Sequence, residues 1–246
     1  LYSWLAARGE GGRSELQEGD VVLICDVGGG TADFSLVSVQ ERSAILELVR
    51  ISVGEHILLG GDNMDLALAY SLLGSLEAEG HSLDQWQFLS LVHAAGRAKE
   101  RLLGDEQMDE VPIAVASRGS SLFAKTISTR LSRDQAYQVL LGGFFPRTAP
   151  NEMPTERRSI GLQEWGLEYA SDPALSKHLA RFLARSLQNV RSDNELSALM
   201  SAAGIDVANA MLLLPNVVLF NGGVCKAKVI REQVSVLLGD WRGDAK

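Results

Sequence analysis

Cysteine is scarce in this chain of 246 residues: there are two, Cys25 and Cys225. Two thiols in a chain this long do not make a disulfide framework, and neither stands in a metal-ligand spacing. They read as buried or partly buried thiols in a reducing compartment. Positive charge is also short, with a net charge of -8. Nucleic-acid binding draws most of its affinity from neutralised phosphates and needs a basic stripe, so the charge balance argues against that class. The densest basic pair, Arg157-Arg158, sits among Glu152, Glu156 and Glu164 and reads as a solvated loop. No hydrophobic run is long enough for a membrane span, which needs about 20 residues. The longest, Ala210 to Phe220, is interrupted by Pro215 and Asn216. Leu1 to Ala7 lacks a basic leader, so nothing points to export and a cytoplasmic location is expected. An initiator Met is missing as well, and the chain is read as a piece of something longer. His56, His81, His93 and His178 share no metal spacing, and no repeat of fixed period occurs.

What is present is an ordinary globular composition, 46% hydrophobic. The length suffices for one or two compact units. Leu1 to Arg8 reads as the tail of a helix. Val21 to Cys25 is a continuous apolar run, as in a strand covered on both faces. The turn Asp26 to Asp33 follows, then strands over Phe34 to Val39 and Ala44 to Val53, together an antiparallel meander. Helices are predicted over Met64 to Leu76, with Asp62 or Asn63 as N-cap, and over Leu83 to Leu103, closed by Gly104. Val111 to Ala116 and Ser121 to Ser128 read as a hairpin around Arg118-Gly119-Ser120. Leu131-Ser132 opens a helix that ends near Gly142-Gly143. The stretch Pro146 to Pro173 is unplaced, a functional loop or an insertion, and its Trp165 is a candidate partner contact. Leu175 to Val190 and Asn194 to Ala203 are predicted helices, the first with an apolar core stripe. Val217 to Phe220 is a short strand, Asn221-Gly222-Gly223 its turn, and Val229 to Leu238 a closing helix. This order fits an α/β layer fold.

Three Gly-rich turns carry the candidate chemistry: Asp26 to Asp33, Gly60 to Asp65 and Asn221 to Val224. Glycine lets backbone N–H groups approach a phosphate with no Cβ in the way. A helix N-terminus behind such a turn adds a positive dipole end. An Asp before the glycines can hold Mg²⁺ through water, and a Thr hydroxyl can bond a phosphate oxygen or a water. A lone Gly-Gly is more often a tight turn than a ligand loop. Three consecutive glycines between two aspartates, with Thr31 next, go beyond what a hairpin needs. Each one costs backbone entropy on folding.

The run Val21 to Val39, VVLICDVGGGTADFSLVSV, closely resembles the second phosphate loop of the Hsp70 (DnaK-like) chaperone ATPases. Gly54 to Asp65 (GEHILLGGDNMD), Gly96 to Leu103 (GRAKERLL) and Val217 to Lys228 (VVLFNGGVCKAK) resemble three further segments of that family, in its order and at similar spacing. The resemblance implies the second lobe of an actin-like, ribonuclease H-like ATPase domain. That lobe is a mixed sheet with helices over 1–61 and 131–246, with a small α+β capping subdomain over 62–130. It also implies a site for ATP or ADP with Mg²⁺. Asp26 would order the metal and its water. Gly28, Gly29, Gly30 and Thr31 would hold the β- and γ-phosphates, and Asp33 would support that loop. Gly60 and Gly61 would sit by the cleft, Lys99 at the ribose, and Gly222 and Gly223 under the α-phosphate and adenosine.

The base side departs from the family. A Glu usual three residues before the Lys is here Gly96, and the Arg usual just after it is Glu100. A small hydroxyl is replaced by Leu103, and the last loop continues with Val224, Cys225 and Lys226. A carboxylate in place of a stacking cation removes a favourable contact with the ring. Arg101 cannot stand in, because one helical step turns a side chain by about 100°. The first phosphate loop and the Lys that works with the attacking water lie upstream of this chain in the family. The fragment alone is therefore expected to lack meaningful ATPase activity, with the first lobe as its missing partner. The parent would be an ATP-driven chaperone with client proteins and co-chaperones. The alternatives are a degenerate actin-like scaffold acting through protein partners, with weak or no nucleotide binding, and another enzyme of the superfamily such as a sugar kinase.

Overall fold

Valine, leucine and isoleucine in unbroken sequence suit a strand with no solvent face, and Val21–Val27 (β1) is that strand. A computed structural model of the chain describes residues 16–42, 45–116, 126–155 and 170–243. β1 pairs antiparallel with Ala32–Arg42 (β2), which pairs antiparallel with Ile45–Val53 (β3). On its other edge β1 runs parallel to Val217–Asn221 (β6). The sheet order is β3-β2-β1-β6, a mixed sheet in which the meander expected from the sequence is extended by a distant strand.

Gly61–Ala78 forms α1 and Gln85–Gly104 forms α2. Met64, Leu68, Leu72 and Leu76 recur every fourth residue along α1, and all are buried. Each contributes about 1.5–3 kcal/mol relative to an exposed side chain. Glu110–Val115 (β4) and Ile127–Ser132 (β5) form a second, antiparallel sheet that packs on α1 and α2. Arg133–Val139 (α3) runs on into a wider turn over Leu140–Phe144. Leu175–Ser192 (α4), Asn194–Ala202 (α5) and Lys228–Arg242 (α6) complete the described helices. The α4 stripe of Leu175, Leu179, Leu183 and Leu187 is core, as its spacing implied.

Several boundaries differ from the sequence reading. The N-cap of α1 is Gly60, not Asp62 or Asn63, and the Asn63 carboxamide instead accepts from the Gly60 N–H at 2.8 Å. Gly104 does not close α2 in a left-handed turn. It is the last helical residue, and Asp105 ends the helix in an extended conformation. β5 runs four residues past the end of the predicted strand, whose residues 121–125 lie outside the described ones. Its Ser, Thr and Arg content hides an alternation in which Leu131 alone is fully buried. The expected turn at Arg118-Gly119-Ser120, the helix tail at Leu1 to Arg8 and Trp165 lie outside the described residues. The described part of the unplaced stretch is tied down. The Trp241 indole donates to the Thr148 carbonyl at 2.7 Å, and Gln233 donates to the Phe145 carbonyl at 2.9 Å. Thr155 donates to the Asp172 carboxylate from its N–H at 3.1 Å and from its hydroxyl at 3.3 Å.

Candidate functional site

The first Gly-rich turn is a tight hairpin. Asp26 and Asp33 are not in it but face one another across β1 and β2, leaving Gly28 to Thr31 as the connection. The Gly28 N–H donates to the Thr31 carbonyl at 2.9 Å and closes the loop. A Cβ on Gly30 would meet nothing within 4 Å, and one on Gly28 or Gly29 would make only ordinary contacts, at 3.6 and 3.5 Å. The turn's own packing therefore does not require three glycines.

The second turn is locked onto the first. The Gly61 and Asp62 N–H groups donate to the Gly28 and Gly29 carbonyls at 3.0 and 2.8 Å. These are donors that a helix start leaves without an internal partner, so the loop carbonyls cap α1. Gly60 must be glycine: a Cβ there would stand 2.5 Å from the Gly29 carbonyl oxygen. The third turn is fixed as firmly. Gly222 has a φ of +84°, and a Cβ on it would fall 2.2 Å from the Val27 carbonyl oxygen. The Asn221 carboxamide donates to the Asp26 carboxylate at 2.7 Å.

These contacts gather three stretches of chain around one cleft of about 440 Å³. Its wall includes Gly28, Gly29, Gly61, Asp65, Lys99, Glu100, Leu103, Gly223, Val224 and Lys226. The volume lies within the usual range for a small-molecule site. Gly30 and Thr31 are not among the residues that line the cleft; the Thr31 hydroxyl lies 3.4 Å from the Asp33 carboxylate, whose other oxygen meets the His56 ring. His56 was not singled out in the sequence as a site residue. Its position two residues past Gly54 gives no sign of this contact, which depends on the bridge between Ala32 and Ile57.

Lys99 is buried and engaged. Its Nζ lies 2.6 Å from the Asp65 carboxylate and donates to the Gly61 carbonyl at 3.2 Å. Burial pushes the Asp65 carboxyl above its usual value, against the opposing pull of the Lys99 ammonium. Gly96 explains how α1 and α2 fit: a Cβ there would stand 2.6 Å from the Asp65 carboxylate. The missing side chain at Gly96 makes room for a carboxylate from the neighbouring helix.

Among the described residues no group of His, Cys, Asp and Glu forms a direct metal cage, and none of the helices is long and apolar enough to cross a membrane. Cys25 and Cys225 are both buried, free thiols. Residues 12–152, more than half of the chain, match the family model described as Hsp70 protein.

Proposed function

The chain belongs to the Hsp70 family of ATP-binding chaperones, and from that premise we propose that it is the second lobe of the family's actin-like nucleotide-binding domain. In this reading 1–61 and 131–246 form the lobe core, and 62–130 a small subdomain capping the cleft. The packing of α1, α2, β4 and β5 on one another supports that division. The parent acts on client proteins with co-chaperones, and the upstream lobe supplies the opposite wall of the site.

The observation that carries the reading is the bare Gly28-Gly29-Gly30 hairpin, whose Gly28 and Gly29 line a cleft shared with the other two turns. Glycines that the fold itself does not demand leave backbone free for an anion. The residues present fit a Mg-nucleotide. Asp26, held by Asn221, would order the metal's waters. Gly28 to Thr31 would take the terminal phosphates, with Asp33 behind Thr31. Gly60 and Gly61 position that loop, and Gly222 and Gly223 would border the α-phosphate. Lys99 would border the ribose as half of a pair with Asp65 rather than as a free cation. Bound Mg²⁺ would supply charge neutralisation at the phosphates.

A second reading has an observation of its own. Glu100, Leu103 and Val224 line the cleft where the family's adenine contacts would be. A scaffold that binds nucleotide weakly or not at all and works through protein partners would tolerate them. Titration of the full-length protein with a fluorescent ADP in Mg²⁺ separates the two. We expect saturable binding that falls at least tenfold in Gly30→Val, at a position where an added Cβ meets nothing within 4 Å. Absence of binding in the parent protein would favour the scaffold.

A further inference from the structure

Two helix faces meet along the cleft wall. On α1, Gly61 and Asp65 are one turn apart and share a face; on α2, Gly96, Lys99 and Leu103 share another. Gly61 is tied to both sides. Its N–H donates to the Gly28 carbonyl at 3.0 Å, and its own carbonyl accepts from Lys99 at 3.2 Å. The wall therefore runs from the Gly28-Gly29 loop through Gly61 to Asp65 and Lys99, and one helical turn farther on to Leu103.

Asp65 holds an oxygen that the fold leaves unsatisfied. Its Oδ1 is buried and has no hydrogen-bond partner among the described residues, although Lys99 Nζ stands 2.6 Å away as a counter-charge. The side chain is nonetheless 23% exposed and lines the cleft, so a ligand can reach the carboxylate. Its Oδ2 takes the space over Gly96, where a Cβ would come within 2.6 Å of it. Packing alone gives no reason for this arrangement. Glycine inside a helix is less stable than alanine, and a buried ion pair gives no gain over well-packed apolar side chains. Both costs are incurred at the point where they set one carboxylate on the cleft wall.

We propose that Asp65 is a specificity-determining residue that selects a ribose, its carboxylate accepting a hydrogen bond from a sugar hydroxyl of the bound nucleotide. The assignment rests on the nucleotide reading above, in which the phosphates lie at the glycine loop. A nucleotide laid along this wall from Gly28 and Gly29 brings its sugar to Asp65 and Lys99, the next groups in line. A hydroxyl there supplies the donor that Asp65 lacks. A deoxy sugar leaves the same carboxylate desolvated and unpaired, and a site built to bond a hydroxyl strongly rejects the analogue without it.

Calorimetric titration of the full-length protein in Mg²⁺ with ADP, 2′-deoxy-ADP and 3′-deoxy-ADP tests this, beside Asp65→Ala and Gly96→Ala. The second variant keeps Asp65 and Lys99 but adds a Cβ where the carboxylate sits. We expect the parent protein to bind at least one deoxy analogue at least tenfold more weakly than ADP. In both variants that ratio should shrink to about threefold or less, because the group that reads the hydroxyl is removed or displaced. Damage to the helix packing would weaken all three nucleotides alike and keep the ratio, and that result would overturn the proposal. Equal binding of all three by the parent protein would also overturn it, while leaving the nucleotide reading standing. Absence of ADP binding by the parent protein would instead sink that reading, and this assignment with it.

Discussion

Glycines at the three turns play two distinct parts. Gly60 and Gly222 are demanded by the fold, because their Cβ atoms would stand 2.5 and 2.2 Å from carbonyl oxygens. Gly60→Ala and Gly222→Ala should each lower stability by about 3 kcal/mol, through overpacking and, at Gly222, backbone strain. Gly30→Ala should leave stability unchanged, since nothing lies within 4 Å of its Cβ. Urea midpoints of the three variants check this, and equal losses at Gly30 and Gly60 would refute the distinction. The sequence displayed all of these glycines but could not sort them. Their roles depend on which carbonyl comes close, and that carbonyl belongs to a turn more than 30 residues away for Gly60, whose clash is with Gly29, and farther still for Gly222. Lys99 is a similar case. Its spacing on α2 marked it, but its partner Asp65 lies on α1, and the one local sign was the bare position at Gly96.

At the scale of elements, the meander and the strand-turn-helix at the C-terminal end were legible because apolar runs and Gly-rich turns alternate cleanly. The β4–β5 register was less so: β5 is mostly polar and is held by pairing with Val111, Ile113 and Val115. Helix α4 carries its own pH response. His178 is buried on it and donates from Nε2 to the Asp172 carbonyl at 2.9 Å, while Arg181 donates to its Nδ1 at 3.3 Å. Burial lowers its pKa below 6.5, with the Arg181 charge acting in the same direction. Between the folded and unfolded values the unfolded chain binds a proton that the folded chain refuses, so stability rises with pH there. The contribution of the neutral ring is present above about pH 6.5 and is lost as pH falls through the folded value. Denaturant midpoints should therefore drop on acidification from pH 7 to pH 5, and the drop should be smaller in His178→Gln. An equal drop in both would assign the effect elsewhere.

For the whole molecule, one topological fact assembles the site. The parallel pairing of β1 with β6 sets Asp26 beside Asn221 and brings the last turn to the first. Packing of α1 beneath the first hairpin then adds the second turn and, through Lys99, the second helix. The order of motifs in the sequence suggested this assembly, but the lining of the cleft by Glu100, Leu103 and Val224 could be located only in three dimensions. The central claim is that this cleft is one wall of a working ATPase site. Steady-state ATP hydrolysis by the full-length protein, beside its Thr31→Ala variant, tests it most directly. The account predicts turnover by the parent protein that falls at least tenfold in the variant. Absence of turnover in both, under conditions where a known chaperone ATPase is active, would contradict it.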